Sequence, residues 1–586
     1  MAAGTLKTKA NSSFTILIGG KDVTAKYGIV SVMVNKHVNR VPVAEVVLYD
    51  GSAAAQKFVL SDKMDFIPGK DVVIKAGYDQ KEKTIFEGII IRHAIKAPLD
   101  GASTLMLEMR DKSIKMTIDR KNKYYNDKTD SDIISALTSA NGVSGTVDTT
   151  TTSHKEMVQY YCTDWDFMAM RAEANGLLIF VEDGKVNVKK PTFTPQGLPV
   201  ILVYGDNMID FEAEMDARDE YGDVTAKFWD YSKQEVVEKK AKQPAIIKEE
   251  GNLTGKKESE VLGVKDFLLQ HPGQLLKTEL KAWASAKLLR SRMAKIKGRV
   301  RIYGTNKVKP GDVIKLGGVG KRFNGFAFVS AVTNSYSINS TWYTDINFGF
   351  SQEWFYEKYE NIVDKPSAGL LGAMNGLVTG IVTDIVDSEG GQFRVRVRIP
   401  LISQSEQGVW ARMVSADAGS GRGILIRPEK DDEVLIGCIN DDPRNPVILG
   451  MLYSKKNKVP TDLTPDSANK LKGWITKSKI KLIIDDDKKI VTIETPGKNS
   501  IIIDDSKKSI TMEDQNKNKI VMDDKGITLD TPKDIIFKAK GKITGDAVKD
   551  IAFDTKAKFS GTGVTGVEVA AKGGTATLNG TQINIG

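Results

Sequence analysis

Few residues of this 586-residue chain have the type and spacing that catalysis or metal binding requires. The four histidines, His37, His93, His154 and His271, all lie in the first half of the chain, and none pairs at metal-ligand spacing. We therefore expect each of them to be a surface or packing residue. The sequence predicts no metal site and no cofactor.

The two cysteines give little support for catalysis. Cys162 and Cys438 are far apart in the sequence, so they indicate neither a disulfide framework nor a zinc cluster. Cys438 lies in an apolar strand pattern and is predicted to be a core residue. Cys162 stands just before a predicted helix, whose N-terminus could activate a thiolate, but no histidine partner lies nearby. No catalytic residue is predicted, and we do not expect an enzyme.

Two short motifs are weak candidates for ligand binding. Residues 419–423 are glycine-rich, but no helical pattern follows them, as it would follow a phosphate-binding loop. The aspartates of 130–132 and 485–487 could suggest calcium, although solvated turns account for the same residues. No Walker loop, nucleophile elbow or zinc-protease motif occurs in the sequence.

Composition indicates an ordinary soluble protein. Apolar residues make up 41% and charged residues 27%, and the net charge of +9 is modest for this length. Lysines and acids are interleaved, so no nucleic-acid patch is predicted. The N-terminus lacks a signal-peptide core, and no run of about 20 apolar residues occurs. We expect synthesis in the cytoplasm and export only by a non-classical route.

The elements that position any site are mostly strands. Residues 14–130 and the region after 296 have short Val- and Ile-rich segments separated by turn residues, which is typical of barrels or sandwiches. Helices are predicted at 130–140, 164–174 and 274–296. A Pro- and Gly-rich stretch at 364–376 marks a boundary, and residues 377–453 contain five or six strands that fit a small barrel.

Beyond a second linker, the chain repeats. Similar segments begin at Leu482, Ile501 and Ile520, which are 19 residues apart, and each unit provides about two strands. Such short apolar segments cannot bury both faces in one chain, so we predict three chains wound together, with Ile502 inward and Lys508 outward. About a dozen strands would give a shaft on the order of 50–60 Å long. A single-chain β-solenoid is the open alternative.

The sequence changes character near residue 535. The following residues are rich in Gly, Thr, Ala and Val, which suits a tapering, tightly wound prism because glycine allows close backbone approach. A flexible Gly-rich tail is the alternative, against which the alternating pattern at 575–585 argues.

Residues 377–453 carry a family resemblance. An Arg-Val-Arg-Val strand, a Trp-Ala-Arg segment, a Gly-rich turn, an Asp-Asp-Glu-Val-Leu-Ile strand and Asp-Asp-Pro-Arg-Asn-Pro-Val-Ile-Leu-Gly follow in order. This region resembles the OB-fold of spike proteins of contractile injection systems, namely VgrG proteins, phage tail spikes and spikes of extracellular phage-tail-like particles. An acidic tract typical of the type VI proteins is absent before Trp410, which favours an extracellular particle or a divergent subtype.

The resemblance implies a mainly β multidomain fold. It consists of a tail hub with two barrels and a helical insert (1–366), an OB-fold (377–453), a linker (454–472) and an intertwined trimeric β-helix (473–586). The implied function is a homotrimeric spike that adapts a hexameric inner tube to a threefold membrane-piercing needle carrying cargo. A spike with cell-wall- or carbohydrate-degrading activity is the alternative.

The resemblance also implies partners. These are inner-tube and baseplate proteins, effectors, a target membrane that is pierced transiently, and a conical PAAR-like tip protein. No histidine follows His271 and no cysteine follows Cys438, so the shaft lacks ligands for a metal-capped point. We expect the tip protein to bind the end of the chain, at Gln582, Ile583, Asn584, Ile585 and Gly586.

Overall fold

The computed structural model describes residues 12–245, 251–387 and 391–584. The chain divides into two compact units. One comprises residues 1–374 with 440–442, and the other comprises 375–439 with 443–586. Strands dominate both units, as the sequence predicted.

The first unit combines twenty strands with six helices in its described residues. The strands are β1 (Ser12–Ile18), β2 (Lys21–Asp22), β3 (Ile29–His37), β4 (Val43–Tyr49), β5 (Asp71–Tyr78), β6 (Lys81–Lys96), β7 (Thr104–Arg110), β8 (Arg120–Thr129), β9 (Ser153–Thr163), β10 (Leu178–Glu182), β11 (Lys185–Lys189), β12 (Ile201–Val203), β13 (Asp210–Met215), β14 (Asp223–Asp230), β15 (Glu235–Lys240), β16 (Asp266–His271), β17 (Ile296–Tyr303), β18 (Val313–Gly317), β19 (Gly325–Ser337) and β20 (Ser340–Phe348). The helices are α1 (Asp130–Ala140), α2 (Asp164–Ala174), α3 (Gly255–Leu262), α4 (Lys277–Ala294), α5 (Gly320–Phe323) and α6 (Phe355–Lys358).

Most strands of this unit belong to one 13-stranded sheet. Antiparallel pairing of β3 with β19 joins the N-terminal strands to those that follow α4. The sheet has two separate cores, one around Phe66 and Phe86 and one around Ile302, Ile346 and Phe348. The sequence predicted two barrels here, whereas the structure joins their strands in one continuous sheet.

The helices confirm the sequence predictions closely. The side chains of Thr129 and Thr163 accept hydrogen bonds from the backbone of Asp132 and Asp166, which fixes the starts of α1 and α2. Both helices contribute to a core with β8–β11. Helix α4 packs on the sheet of β14–β16 through an apolar stripe that includes Leu280, Ala284 and Leu288.

The second unit begins with a small closed barrel. Its elements are β21 (Leu377–Asp384), β22 (Val395–Arg398), β23 (Val409–Met413), the hairpin β24 (Ala418–Gly419) and β25 (Arg422–Gly423), β26 (Glu433–Cys438) and β27 (Pro446–Met451). The barrel closes in the order β21-β22-β23-β27-β26. Val395, Val397 and Ile399 are buried in its core and alternate with Arg396 and Arg398, the period that a barrel strand requires.

A second sheet follows in the same unit. Its seven strands are β28 (Leu471–Ile475), β29 (Lys481–Asp485), β30 (Ile490–Glu494), β31 (Ser500–Asp504), β32 (Ser509–Glu513), β33 (Lys519–Asp523) and β34 (Gly526–Asp530). They form an antiparallel meander in chain order, so each 19-residue repeat contributes two strands, as predicted. No strand is assigned among residues 531–584, all of which the structure describes, so the dozen strands predicted for the whole shaft are seven in this chain.

Candidate oligomerisation surface

One face of the seven-stranded sheet is lined by apolar side chains. The cross-strand register places these residues in two rows, one of Trp474, Leu482, Ile493, Ile501, Met512, Ile520 and Leu529, the other of Ile484, Val491, Ile503, Ile510, Met522 and Ile527. Directly opposed residues belong to the same face of a sheet, and alternate residues of each strand share that face. We call this surface the apolar face.

The other face is mixed in character. Its central row is Ile483, Thr492, Ile502, Thr511, Val521 and Thr528. Charged side chains at the strand ends flank this row, and two of them, Lys481 and Glu494, form a cross-strand ion pair with an N–O distance of 3.5 Å. This face therefore already presents polar and charged side chains of its own chain.

The register bears on one prediction. The sequence placed Ile502 on the inward face; its cross-strand partners are Thr492 and Thr511, so it lies on the mixed face. Its neighbours Ile501 and Ile503 lie on the apolar face. Three consecutive isoleucines give no alternation from which a face can be chosen, and the inward position of Ile502 stays a prediction.

Much of the apolar face is uncovered in the single chain. Ile493 and Ile503 are each 43% exposed, and Ile527 is 73% exposed. A groove of about 550 Å³ runs along the row of Ile501 and Met512, and Ile535 lies on its far wall. Exposed contiguous apolar surface of this kind marks an interaction site.

The hairpin turns lie at the two ends of the strands and so line two opposite sides of the sheet. Turns 476–480, 495–499 and 514–518 lie on one side, which we call the basic edge. Turns 486–489, 505–508 and 524–525 lie on the other side, which we call the acidic edge. Five of these turns contain a lysine with positive φ: Lys479, Lys489, Lys498, Lys508 and Lys517. Glycine or asparagine is usual in this conformation, so the lysine at this position is not a typical turn signal.

Side chains link neighbouring turns of the basic edge. The Asn499 Oδ1 accepts a hydrogen bond of 3.1 Å from the Gln515 backbone N–H, and the Asn518 Oδ1 accepts one of 2.5 Å from the Thr531 hydroxyl. Lys517 donates to Glu513 at 2.9 Å, and this hydrogen bond lowers the pKa of the Glu513 carboxyl. These bonds stack the turns along the edge at a fixed spacing.

The segment after β34 exposes apolar residues in the same way. Phe537, Val548, Phe553 and Val564 are all largely exposed, and no strand covers them in the described residues 531–584. Apolar side chains spaced along an extended chain without a core of their own need neighbouring chains for burial.

The expected tip-protein site lies at the end of this segment. Gln582, Ile583 and Asn584 are exposed, and the Gln582 amide donates to the Asn584 side chain at 3.3 Å. Ile585 and Gly586, the remaining residues of the predicted site, lie outside the described residues. The assignment of these five residues stays a prediction.

The histidines occupy structural positions. His93 is held between the Ser61 hydroxyl at 2.7 Å and the Phe66 carbonyl at 2.9 Å. His154 is buried beside Asp130, at 3.1 Å. His271 bonds to the backbone of Gly273, two residues further on. His37 lines a cleft, where burial and the charges of Arg40 and Lys358 lower its pKa to about 4.

The cysteines and weak motifs show no activated group. Cys162 is buried, and burial together with the charge of Asp166 raises the pKa of its thiol to about 11, so a thiolate is not favoured. Cys438 is half-buried at the end of β26. The glycine-rich residues 419–423 form the hairpin of β24 and β25, and the aspartates 485–487 lie at a strand end and its turn.

The described residues contain neither a metal-binding cluster nor a membrane-spanning helix. Among residues 12–245, 251–387 and 391–584, no group of three or more His, Cys, Asp or Glu side chains is arranged to hold a metal ion. Over the same described ranges, none of the helices combines the length and apolar character needed to cross a membrane.

Three family models match successive parts of the chain. The Alg8 N-terminal domain matches residues 8–337, which is more than half of the chain. The type VI secretion system/phage-baseplate injector OB domain matches residues 378–453, which contain the closed barrel. The phage baseplate V C-terminal trimerisation domain matches residues 489–586, which begin just before β30.

The similarity to individual proteins is low or covers only short parts of the chain. The type VI secretion system spike protein VgrG5 of Pseudomonas aeruginosa is 28% identical over 104 residues, or 17% of this chain and 13% of the relative. The 43 kDa tail protein of prophage MuSo2 from Shewanella oneidensis has a TM-score of 0.43 at 12% identity, over 58% of this chain and 99% of that one. The E. coli c3393 protein, a type VI secretion component, has a TM-score of 0.39 at 11% identity, over 75% of this chain and 99% of that one. The aligned part thus spans a small fraction of the curated relative.

Proposed function

We propose that this chain, which belongs to the family of the Alg8 N-terminal domain and carries the injector OB domain and trimerisation domain of phage-baseplate proteins, forms the homotrimeric central spike of a contractile injection system. The observation that carries this proposal is the apolar face of strands β28–β34, which a single chain leaves exposed. Its repeats continue over 60 residues, from 471 to 530, with the same pattern.

We propose that three copies bury this surface. Three sheets can close a triangular prism in which each apolar face points to the axis and each mixed face points to water. The match to a trimerisation domain over 489–586 supports this choice.

The function that follows is mechanical. In the proposed trimer, the hub at 1–366 forms a pseudo-sixfold ring that receives the hexameric inner tube. The OB-fold at 377–453 forms a collar, the residues 454–472 link it to the shaft, and the shaft at 473–586 pierces the target membrane when the sheath contracts. A closed prism is stiff because every strand pairs with its neighbours. We infer that the chain itself catalyses no reaction.

A tip protein and a delivery route complete the proposal. We propose that the residues from Gln582 to Gly586 bind a conical PAAR-like tip protein, which is supported by the exposure of Gln582, Ile583 and Asn584. The particle would assemble in the cytoplasm, deliver the spike outside the cell and carry effectors with it. The absence of the acidic type VI tract before Trp410 favours an extracellular phage-tail-like particle.

Sedimentation of the purified full-length chain tests the trimer. We expect a single species of three times the 64.2 kDa chain mass. A folded monomer or dimer at micromolar concentration would overturn the proposal. Electron microscopy of purified particles then tests the site of assembly, because a free sheathed particle and a membrane-anchored one differ in appearance.

Deletion of residues 581–586 tests the tip. The truncated chain should still form the trimer, because β28–β34 remain intact, but particles that contain it should lose a co-purifying tip protein. Unchanged binding of that protein would contradict the assignment of the last five residues.

A further inference from the structure

The two edges of the seven-stranded sheet carry charges of opposite sign in the same period. Lys479, Lys498 and Lys517 lie in successive turns of the basic edge, and each is 19 residues from the next. The turns of the acidic edge present a second series with the same period, which consists of Asp486, Asp505 and Asp524. All six side chains are exposed.

The edges differ further in composition. The turns of the acidic edge hold four aspartates and five lysines, and the strand ends Asp485, Asp504 and Asp523 raise the aspartates to seven. Counted in the same way, with its strand ends, the basic edge has six lysines against three acidic residues. Asp505 and Asp524 have no ion pair within the described part of the chain. Each edge thus carries a net charge of its own sign.

The positions of the turns along the shaft are fixed by the meander. Successive strands lie about 4.8 Å apart, so 19 residues, or two strands, correspond to a rise of about 9.6 Å on either edge. The turns alternate between the edges, because each strand reverses direction. Each turn of the basic edge is therefore offset by about 4.8 Å, or half a period, from the acidic turns nearest to it.

A threefold axis converts this stagger into complementarity. Rotation about the axis moves a copy without shifting it along the axis, so the basic edge of one sheet meets the acidic edge of the next at equal height. The turns of Lys498 and Lys517 then each face the gap between two acidic turns, and the turn of Lys479 lies next to the first acidic turn.

We propose that the shaft closes by interdigitation of these turns. Lys498 and Lys517 of one copy each lie between two aspartate turns of the neighbouring copy, and Lys479 lies beside the first aspartate turn. This inference rests on the proposed trimer and adds to it that each seam joins unlike edges of two copies. Lys498 and Lys517 then have carboxylates both above and below them.

The existing intrachain pairs do not oppose this arrangement. Lys498 and Lys517 bond to Glu494 and Glu513 of their own chain, but their side chains are 72% and 75% exposed, and exposed pairs of this kind stabilise by only about 0.3–0.5 kcal/mol. Their ammonium groups have three donors each, so a second carboxylate can share them.

Disulfide trapping in the full-length chain tests the seam. Lys498→Cys and Asp505→Cys in the same chain lie at opposite ends of β31, whose five residues separate them by roughly 17 Å. A disulfide requires Cα atoms about 4.4–6.8 Å apart, so these two residues cannot bond within one chain. In the proposed trimer they are neighbours across each seam, and mild oxidation should give covalent trimers on a non-reducing gel.

Matched variants identify the cause of any cross-link. Lys498→Cys alone and Asp505→Cys alone should remain uncross-linked, as should Lys498→Cys with Lys517→Cys, whose cysteines share the basic edge. If the chain sediments as a trimer but the cross-edge pair gives no covalent trimer, the seam is wrong and the trimer stands. If the chain is not a trimer, the proposed function fails with it.

Charge reversal gives a second measurement. Lys498→Glu with Lys517→Glu should destabilise the trimer most at low salt, because the repulsion is screened at high salt. Adding Asp505→Lys and Asp524→Lys should restore it. If the trimer with all four substitutions is no more stable than the trimer with Lys498→Glu and Lys517→Glu alone, the lysines serve another partner, such as an anionic lipid surface, and the inference is overturned.

Discussion

The face assignment of three adjacent isoleucines makes the sharpest test of the shaft. Ile503 lies on the apolar face opposite Val491 and Ile510, and Ile502 lies on the mixed face between Thr492 and Thr511. Replacement of each by aspartate changes the same side chain in the same way, one residue apart in one strand. We expect Ile503→Asp to prevent trimer assembly and Ile502→Asp to allow it.

The magnitude follows from burial. Ile503 retains 43% exposure in one chain, and fully burying an isoleucine is favourable by about 1.5–3 kcal/mol, so its remaining burial contributes about 1 kcal/mol per copy. A carboxylate left unpaired in that site costs several kcal/mol more. Three symmetric copies give a loss of about 10 kcal/mol or more per trimer. Ile502→Asp should cost less, since its cross-strand neighbours Thr492 and Thr511 are polar and can remain hydrated.

Sedimentation velocity over a concentration series of the two full-length variants measures the difference. Circular dichroism should show that both retain their strands, because the hub and barrel are untouched. Equal assembly of both variants, or assembly of Ile503→Asp alone, would refute the assignment of the apolar face to the trimer axis.

Three further perturbations test other parts of the chain. Lys508→Gly should stabilise by up to about 1 kcal/mol per copy in thermal unfolding, since Lys508 has a φ of 49°, whereas Lys507→Gly should not. Burial lowers the pKa of His37 from 6.5 to about 4, so between these pH values the folded state binds fewer protons than the unfolded state. The free energy of unfolding should therefore fall by about 2 kcal/mol from pH 7 to pH 5. His37→Gln should remove this loss in guanidinium unfolding, and an unchanged pH dependence in that variant would contradict the expectation. Asp130→Ala should cost about 3 kcal/mol, because Arg171 then loses the buried carboxylate that it contacts at 2.6 Å, and a loss below 1 kcal/mol would show that Glu279 suffices.

The sequence by itself determined the elements whose signals are local. Helices were predicted at 130–140 and 164–174, and both have those bounds, although the side chains that cap them belong to Thr129 and Thr163, just before the predicted starts. The 19-residue period likewise predicted two strands per repeat, because turn residues and apolar segments alternate along the chain itself. The motifs of 377–453 indicated the OB-fold before the barrel was seen to close.

Only the tertiary structure decided the face and the grouping of these strands. Residues 501–503 are all isoleucine, so their sequence has no alternation, and the two faces differ only in what the neighbouring strands place beside them. The joining of β3 to β19 likewise depends on residues almost 300 positions apart, for which no local pattern exists. The placement of the turn lysines was also decided by the tertiary structure. Their positive φ and their distribution over the two edges follow from the meander, since strand register is a property of paired strands and not of any one segment.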